Sequence, residues 1–361
     1  MKADRTDCML VSIAINNYNY GRFIREAIES ALNQDYGNCE VIIVDDGSTD
    51  NSRQIIDEYR GRAKVVFKAN GGQASAFNAG LSQAKGGIVL FLDSDDYLFP
   101  NAVSQIVASW KPNISRCQFR LREIDGEGRQ IGEMPHKGSL LSRGDLVGLL
   151  FKKRTLVQAP TSGNAFNRAA LEKIFPIDER FRICVDAWLV YHTAAFGEVL
   201  AIEEMFGAYR VHGSNNYIGY NVDSSMTDSR MLKILKAKLE FVHIKMDAAL
   251  VFNKTGESFY SIAGNILHLG DIRTLLLSKH FRIAGPIAEF DNQFGYFKLH
   301  ALLLGECFHN ESKWSLSGRL QCLLEMVILS VAPNSWKKRL LHVGVIAKRR
   351  AQALFGSLAP S

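Results

Sequence analysis

The sequence predicts an α/β fold built on a largely parallel sheet, and three observations carry the prediction. Strand signals alternate with helical periodicity through the first hundred residues. The loops after three of those strands are rich in asparagine, aspartate and glycine. Hydrophobic residues make up 47% of the 361 positions, the share expected of a chain with a real core. Sheets of this kind bind ligands beyond the carboxyl ends of their strands, so function is expected in those three loops.

The apolar run Met9–Ile15 stops at asparagines and reads as a first strand, not as the core of a signal peptide. Arg22–Gln34 places Ile24, Ala27, Ile28 and Ala31 at helical spacing. Glu40–Val44 is a β-branched strand, and Asn51–Arg60 reads as a helix after a Ser/Thr/Asp cap. Lys64–Lys68 is a strand, Ala74–Ala84 a helix, and Ile88–Leu92 a buried strand ending on Asp93. The loops selected are therefore Asn16–Gly21, Asp45–Asp50 and Asp93–Tyr97. Signals from about 100 to 222 are mixed and include a helical stretch over Ala187–Phe196. From Asp223 onward the pattern is mainly helical, with Leu320, Leu323, Leu324, Val327, Ile328 and Val331 on one stripe. The expected division is an α/β domain over 1–222, in parts of about 8–110 and 111–222, and a helical region over 223–361.

Several function classes are excluded. The six cysteines are scattered singly with no CxxC pair, which fits reduced thiols in a cytosol and argues against a cysteine zinc site. The apolar stretch Cys322–Ala332 is broken by Glu325 and is too short to cross a bilayer. A net charge of +6 without a basic-plus-aromatic motif gives no reason to expect nucleic acid as a partner. The first loop lacks the GxGxxG of dinucleotide enzymes. Near the C-terminus, Lys337-Lys338-Arg339 and Lys348-Arg349-Arg350 flank Leu340–Ala347. That pattern suits a helix on an anionic membrane surface, and equally a helix packed on the domain or a contact between copies of the chain.

The residues that carry chemistry sit in the selected loops. Asp93-Ser94-Asp95-Asp96 at a strand end repels itself unless a cation compensates, and Mg²⁺ or Mn²⁺ held there would neutralise a diphosphate leaving group. Read blandly, it is a turn of capping aspartates. Val44-Asp45-Asp46-Gly47-Ser48-Thr49-Asp50 offers carboxylates to the base and ribose of a nucleotide, or forms a tight turn and N-cap.

Taken in order, Val11-Ser12-Ile13-Ala14-Ile15-Asn16-Asn17-Tyr18-Asn19, the Val44–Asp50 segment, Asn70-Gly71-Gly72-Gln73-Ala74-Ser75-Ala76-Phe77-Asn78-Ala79-Gly80 and Phe91-Leu92-Asp93-Ser94-Asp95-Asp96 resemble glycosyltransferase family 2. The resemblance covers roughly residues 8–110. It continues to about 217 through Phe175–Phe181, Asp186 and Tyr209-Arg210-Val211-His212-Gly213-Ser214-Asn215. It implies a GT-A fold, a Rossmann-like mixed and mostly parallel sheet flanked by helices. It also implies transfer of a sugar from a nucleotide diphosphate, UDP being commonest, to a glycan or lipid-linked hydroxyl, with inversion.

By the same resemblance, Asn17, Tyr18, Asp45, Asp46, Asn78, Asp93 and Ser94 contact the donor. Asp95 is the direct Mn²⁺ or Mg²⁺ ligand, with His212 beside it, and Asp186 is the general base. For Asp186 the residues alone equally allow a helix N-cap before Ala187–Phe196. The chain departs from the family's pattern at Asn16-Asn17, where a proline is usual, at Phe77 for an arginine, and at Val185 for an acid. The rival readings are a non-catalytic nucleotide-sugar-binding scaffold on the same fold and a nucleotidylyltransferase; the aromatic, amide-rich first loop speaks against the latter. The protein is expected in the cytoplasm or on the cytosolic face of a membrane.

Overall fold

The structure, a computed structural model, describes residues 9–151, 156–182, 184–212, 240–245 and 247–248. The chain divides into two compact units, Met1–Asn216 with Ile244–Ile266, and Tyr217–His243 with Leu267–Ser361. Of the second unit only residues 240–243 are described, as part of a helix. The expected apolar stripe at Leu320–Val331 and the basic ends around Leu340–Ala347 lie outside the described residues. Among the described residues no helix is long and apolar enough to cross a membrane.

Four parallel strands form the first half of the sheet: β1 (Val11–Asn17), β2 (Cys39–Asp45), β3 (Lys64–Phe67) and β4 (Ile88–Asp93), in the spatial order β3-β2-β1-β4. Between them run α1 (Ile24–Leu32), α2 (Ser52–Asp57) and α3 (Gln73–Gln83). This is the alternation the sequence predicts. β1 and β4 are buried along nearly their whole length, and β4 is apolar up to Asp93, because strands covered on both faces have no solvent side. Helix α1 buries the predicted stripe of Ile24, Ala27, Ile28 and Ala31 against Val11, Ile13 and Ile15 in one core. A fully buried Ile28 contributes about 1.5–3 kcal/mol through its burial, so Ile28→Ala would cost about 2–5 kcal/mol. The chain turns after α1 where the Gln34 amide donates to both the Ser30 and Phe99 carbonyls.

The second half adds β5 (Tyr97–Leu98), α4 (Ala102–Ser109), β6 (Ile114–Ile124), β7 (Gln130–Met134), α5 (Leu146–Phe151), β8 (Asn164–Asn167), α6 (Arg168–Leu171), α7 (Val185–Thr193) and β9 (Glu198–Arg210). The nine strands make one sheet in the order β3-β2-β1-β4-β8-β6-β9-β5, with β7 paired to β6. Here the sheet becomes mixed. β8 runs antiparallel to both β4 and β6, and β5 antiparallel to β9. The short β5 follows β4 after only three residues, so the Asp93–Asp96 turn is pinned between β4 and the far end of β9.

A buried arginine marks this half. Arg116 has no exposed surface and, among the described residues, no carboxylate partner; its guanidinium donates to Asn164 Oδ1 at 2.5 Å and Gln158 Oε1 at 2.6 Å. Burial pulls its pKa down to about 9. Neutral amides do here what a carboxylate usually does for a buried cation.

Candidate active site

The carboxyl end of the parallel strands is built by register before any loop is considered. In the parallel ladder Asn17 lies level with Asp45 of β2, and Asn16 level with Asp93 of β4. Successive residues of a strand face opposite sides of the sheet, so the two asparagines serve different acids. Asn16 Nδ2 donates to Asp93 Oδ1 at 2.8 Å, and Asn17 Nδ2 donates to Asp45 Oδ1 at 2.9 Å. The departure from proline at this position thus gives each neighbouring strand an amide donor. Sequence reading missed Asn16; only strand register reveals it.

The first two loops are latched together. Asn19 sits at φ +60°, a region that asparagine tolerates better than most residues. From there its Oδ1 accepts the backbone N–H of Thr49 at 2.7 Å and of Asp50 at 3.3 Å. Ser48 Oγ accepts from Asn19 N–H and Asn17 Nδ2 in return. Gly47, at φ +78°, brings the second loop against the third: a Cβ there would lie 2.6 Å from the Asn70 nitrogen.

The carboxylates of the second loop have protein partners. Asp45 is wholly buried and, besides Asn17, accepts the Ser48 N–H and Arg53 Nε, each at 3.1 Å. Asp46 accepts from Lys68 Nζ at 2.5 Å and from the Gly71 and Gly72 N–H groups at 3.0 and 2.8 Å. Asn78 is spent at both ends on the Ile177 backbone. Asn17, Asp45, Asp46 and Asn78, expected to contact the donor, thus each make hydrogen bonds that tie the loops together, while Asn17 Oδ1 is buried without a partner among the described residues. Tyr18 differs, being 46% exposed at the rim.

The third loop gathers charge. Asp93, Asp95 and Asp96 lie within one turn, where burial and the neighbouring carboxylates oppose ionisation of Asp93 and Asp96. Burial, then the charge of Asp95, pushes Asp93 up to about 7. Burial, then Asp95 and Asp93, raises Asp96 well above the usual carboxylate range. Ser162 steadies the turn from one side, its Oγ donating to Asp96 Oδ2 at 2.6 Å and accepting the Asp93 N–H at 3.1 Å. Ser94 is buried, and its Oγ has no hydrogen-bond partner among the described residues.

His212 meets this turn from the end of β9. Its Nε2 lies 3.0 Å from Asp95 Oδ2, and its ring packs on Phe23 and Tyr20 at centroid distances of 5.0 and 5.4 Å. Burial and the nearby aspartates raise the Tyr20 and Tyr209 hydroxyls, keeping both phenols neutral.

Asp186 is the second residue of α7, not its N-cap; Cys184 holds the cap position and makes no side-chain cap. The backbone N–H groups of Asp186 and Ala187, at the helix start, favour the ionised Asp186 carboxyl. Burial outweighs them and raises its pKa, and its charge in turn helps raise Asp93. The structure thus brings Asp93, Asp95 and His212 together, with Asp186 within electrostatic reach of Asp93, and Asp45, Asp46 and Asn78 hydrogen-bonded in the loops around them.

A divalent cation fits this donor set. The turn holds a carboxylate and an imidazole side by side, two further carboxyl groups, and a Ser94 Oγ with no partner among the described residues. Among the described residues no three His, Cys, Asp or Glu side chains form a complete cage. That is the pattern of a cation held by one or two protein ligands and finished by substrate phosphates.

A family model described as "Glycosyl transferase family 2" matches residues 12–175. An uncharacterized glycosyltransferase of Nostoc sp. is 40% identical over 217 residues, 58% of this chain and 67% of that protein. A chondroitin synthase of Pasteurella multocida is 50% identical over 127 residues, but these are 34% of this chain and only 13% of the synthase. Among solved structures, S. aureus TarS 1–349 in complex with UDP aligns with a TM-score of 0.51 over 96% of this chain and 92% of that one. The same fragment in complex with UDP-GlcNAc aligns with a TM-score of 0.51 as well. At 16% identity that likeness is one of fold.

Proposed function

Since this chain belongs to glycosyl transferase family 2 and is a glycosyltransferase with the GT-A fold, we propose that it moves a hexosyl group from a UDP-sugar to a hydroxyl of a glycan or lipid-linked acceptor, with inversion. The observation that carries the reading is the Asp95–His212 pair, set at the end of β4 in a turn with more carboxylates than cations. TarS, whose fold is similar, is known with UDP and with UDP-GlcNAc, and this supports uridine as the donor's nucleoside.

In this reading Asp95 and His212 would hold Mn²⁺ or Mg²⁺ beside the donor, and Asp93 and Ser94 face the sugar side. The cation supplies charge neutralisation for the departing diphosphate. Tyr18 presents its half-exposed ring to the nucleoside, while Asp45 and Asp46 keep the loop beneath it in shape. Asp186 removes the proton from the acceptor hydroxyl. The freed oxygen pair bonds to the anomeric carbon as the bond from that carbon to the diphosphate oxygen breaks, its electrons leaving with the diphosphate. Attack opposite the leaving group inverts the centre. A carboxylate raised by burial is the better base for this step.

A thermal-shift screen of nucleotide sugars with and without Mn²⁺ tests the reading, because a ligand that binds only the folded state raises its melting temperature. UDP-sugars are expected to stabilise the protein in a metal-dependent way. Stabilisation by none of them, or equally without metal, would overturn the donor and cation assignments respectively.

A further inference from the structure

Arg210 takes no part in the transfer just described, yet it is engaged on every side of the acid turn. It is 4% exposed. Its Nε donates to the Asp95 carbonyl at 2.9 Å, and its backbone N–H donates to Asp96 Oδ1 at 2.9 Å. Its other guanidinium edge pairs with Glu26 in the first turn of α1. The guanidinium carbon lies 4.8 Å from the Phe23 ring centre and 6.0 Å from that of Tyr97.

Arg210 is also the last residue of β9, and His212 follows two positions later. Residues two apart on extended chain share a face, so the grip on the turn and the imidazole that meets it come from one strand end. Val211 between them is 38% exposed, as the alternation requires, and its N–H continues the pairing to Ile124. A turn holding three carboxylates tends to splay. Ser162 restrains it at Asp96 and Asp93. Arg210 restrains it at Asp95, and it binds the backbone carbonyl instead of the carboxylate, which leaves the carboxylate directed at His212.

We propose that Arg210 is a positioning residue whose side chain, braced on Glu26 and Phe23, fixes the Asp95 backbone so that the Asp95 carboxylate stands against His212. The inference rests on reading Asp95 and His212 as the cation site.

Arg210→Met keeps the apolar contact with Phe23 and removes the Nε donor and the charge; the backbone bond to Asp96 stays in every variant. Three quantities are read without turnover: Mn²⁺ affinity by calorimetry, metal-free UDP affinity, and amide hydrogen exchange over residues 93–97 with β1 as control. Arg210→Met is expected to lose about tenfold in Mn²⁺ affinity, the scale of one hydrogen bond to a charged group. Exchange over 93–97 should rise, while metal-free UDP affinity and exchange in β1 stay at wild-type values. Arg210→Lys keeps the charge without the planar fork and should recover part of the loss. A folded Arg210→Met protein with wild-type Mn²⁺ affinity and wild-type exchange over 93–97 overturns the proposal. Should that variant not fold, Glu26→Gln, at a side chain 53% exposed, removes the brace alone. Mn²⁺ affinity should then fall by a few-fold and exchange over 93–97 rise; no change in either overturns the proposal. If the wild-type protein takes up no Mn²⁺, the cation reading itself falls, and exchange over 93–97 alone decides Arg210.

Discussion

Asp95 Oδ2 lies 3.0 Å from His212 Nε2, although 117 residues separate the two along the chain. The contact joins the end of β4 to the end of β9 and makes one site of two features that are weak apart. A lone histidine is most often structural, and an aspartate-rich turn is most often a turn. Side by side in a charge-rich turn they have the chemistry of a partial cation site.

Replacing Asp95 by asparagine should preserve the fold and remove metal-dependent donor binding. The amide retains a bond to His212 but loses the charge that draws a cation. Calorimetry with UDP-sugar and Mn²⁺ checks this, and wild-type affinity in the variant would rule out Asp95 as a ligand.

Asp186→Asn should leave donor binding intact and lower transfer by about 10²-fold or more, the usual range for a lost general base. The pH behaviour follows from burial, which raises the pKa of Asp186 above its unfolded value. Activity of the wild type should rise with pH as the carboxyl ionises, and this limb should vanish in Asp186→Asn. The stability effect has the opposite sense. The unfolded chain ionises Asp186 first, so the folded state is penalised as pH rises between the two pKa values, and fully so above the folded one. The variant should therefore melt higher than wild type at neutral pH and lose that advantage in acid. Equal melting temperatures at neutral pH would mean that Asp186 is not desolvated.

The latch between the first two loops separates hydrogen bonding from backbone strain. Asn19→Gly tolerates φ +60° but loses the bonds to Thr49 and Asp50. Asn19→Ala loses the bonds and adds left-handed strain of about 1–2 kcal/mol. Denaturant unfolding should rank wild type above Asn19→Gly above Asn19→Ala, and both variants should bind UDP more weakly. A glycine variant as stable and as tight-binding as wild type would show that the latch contributes nothing.

Arg116 tests the amide-lined charge in the core. Arg116→Lys keeps a cation but cannot reach Asn164 and Gln158 together. One buried acceptor is left unpaired at a cost of about 1–3 kcal/mol. Chemical denaturation should register that loss, and a lysine variant of wild-type stability would mean that the two amides do not share the guanidinium in solution.

The sequence by itself determined the parallel half of the sheet, its helices, and the three loops at the carboxyl ends of its strands. Those features are local. Apolar runs, 3.6-residue spacing and Asp-Gly turns leave their mark within a few residues, and β1, α1 and β4 form close to where the pattern puts them. The acid turn was legible for the same reason, since a strand that ends on Asp93-Ser94-Asp95-Asp96 states its chemistry in four letters. What side chains do once buried was decided only by tertiary structure. Asn16 and Asn17 serve different acids because strand register places Asp93 and Asp45 beside them. Asp45, Asp46 and Asn78 are occupied within the protein because the loops close on one another. Arg210 and Ser162 grip the acid turn because β9 and the 161–163 turn pack beside it, pairings that span 66 to 115 residues of chain. Contacts over such separations leave no periodicity in the sequence; they exist only when the sheet has brought its distant strands together.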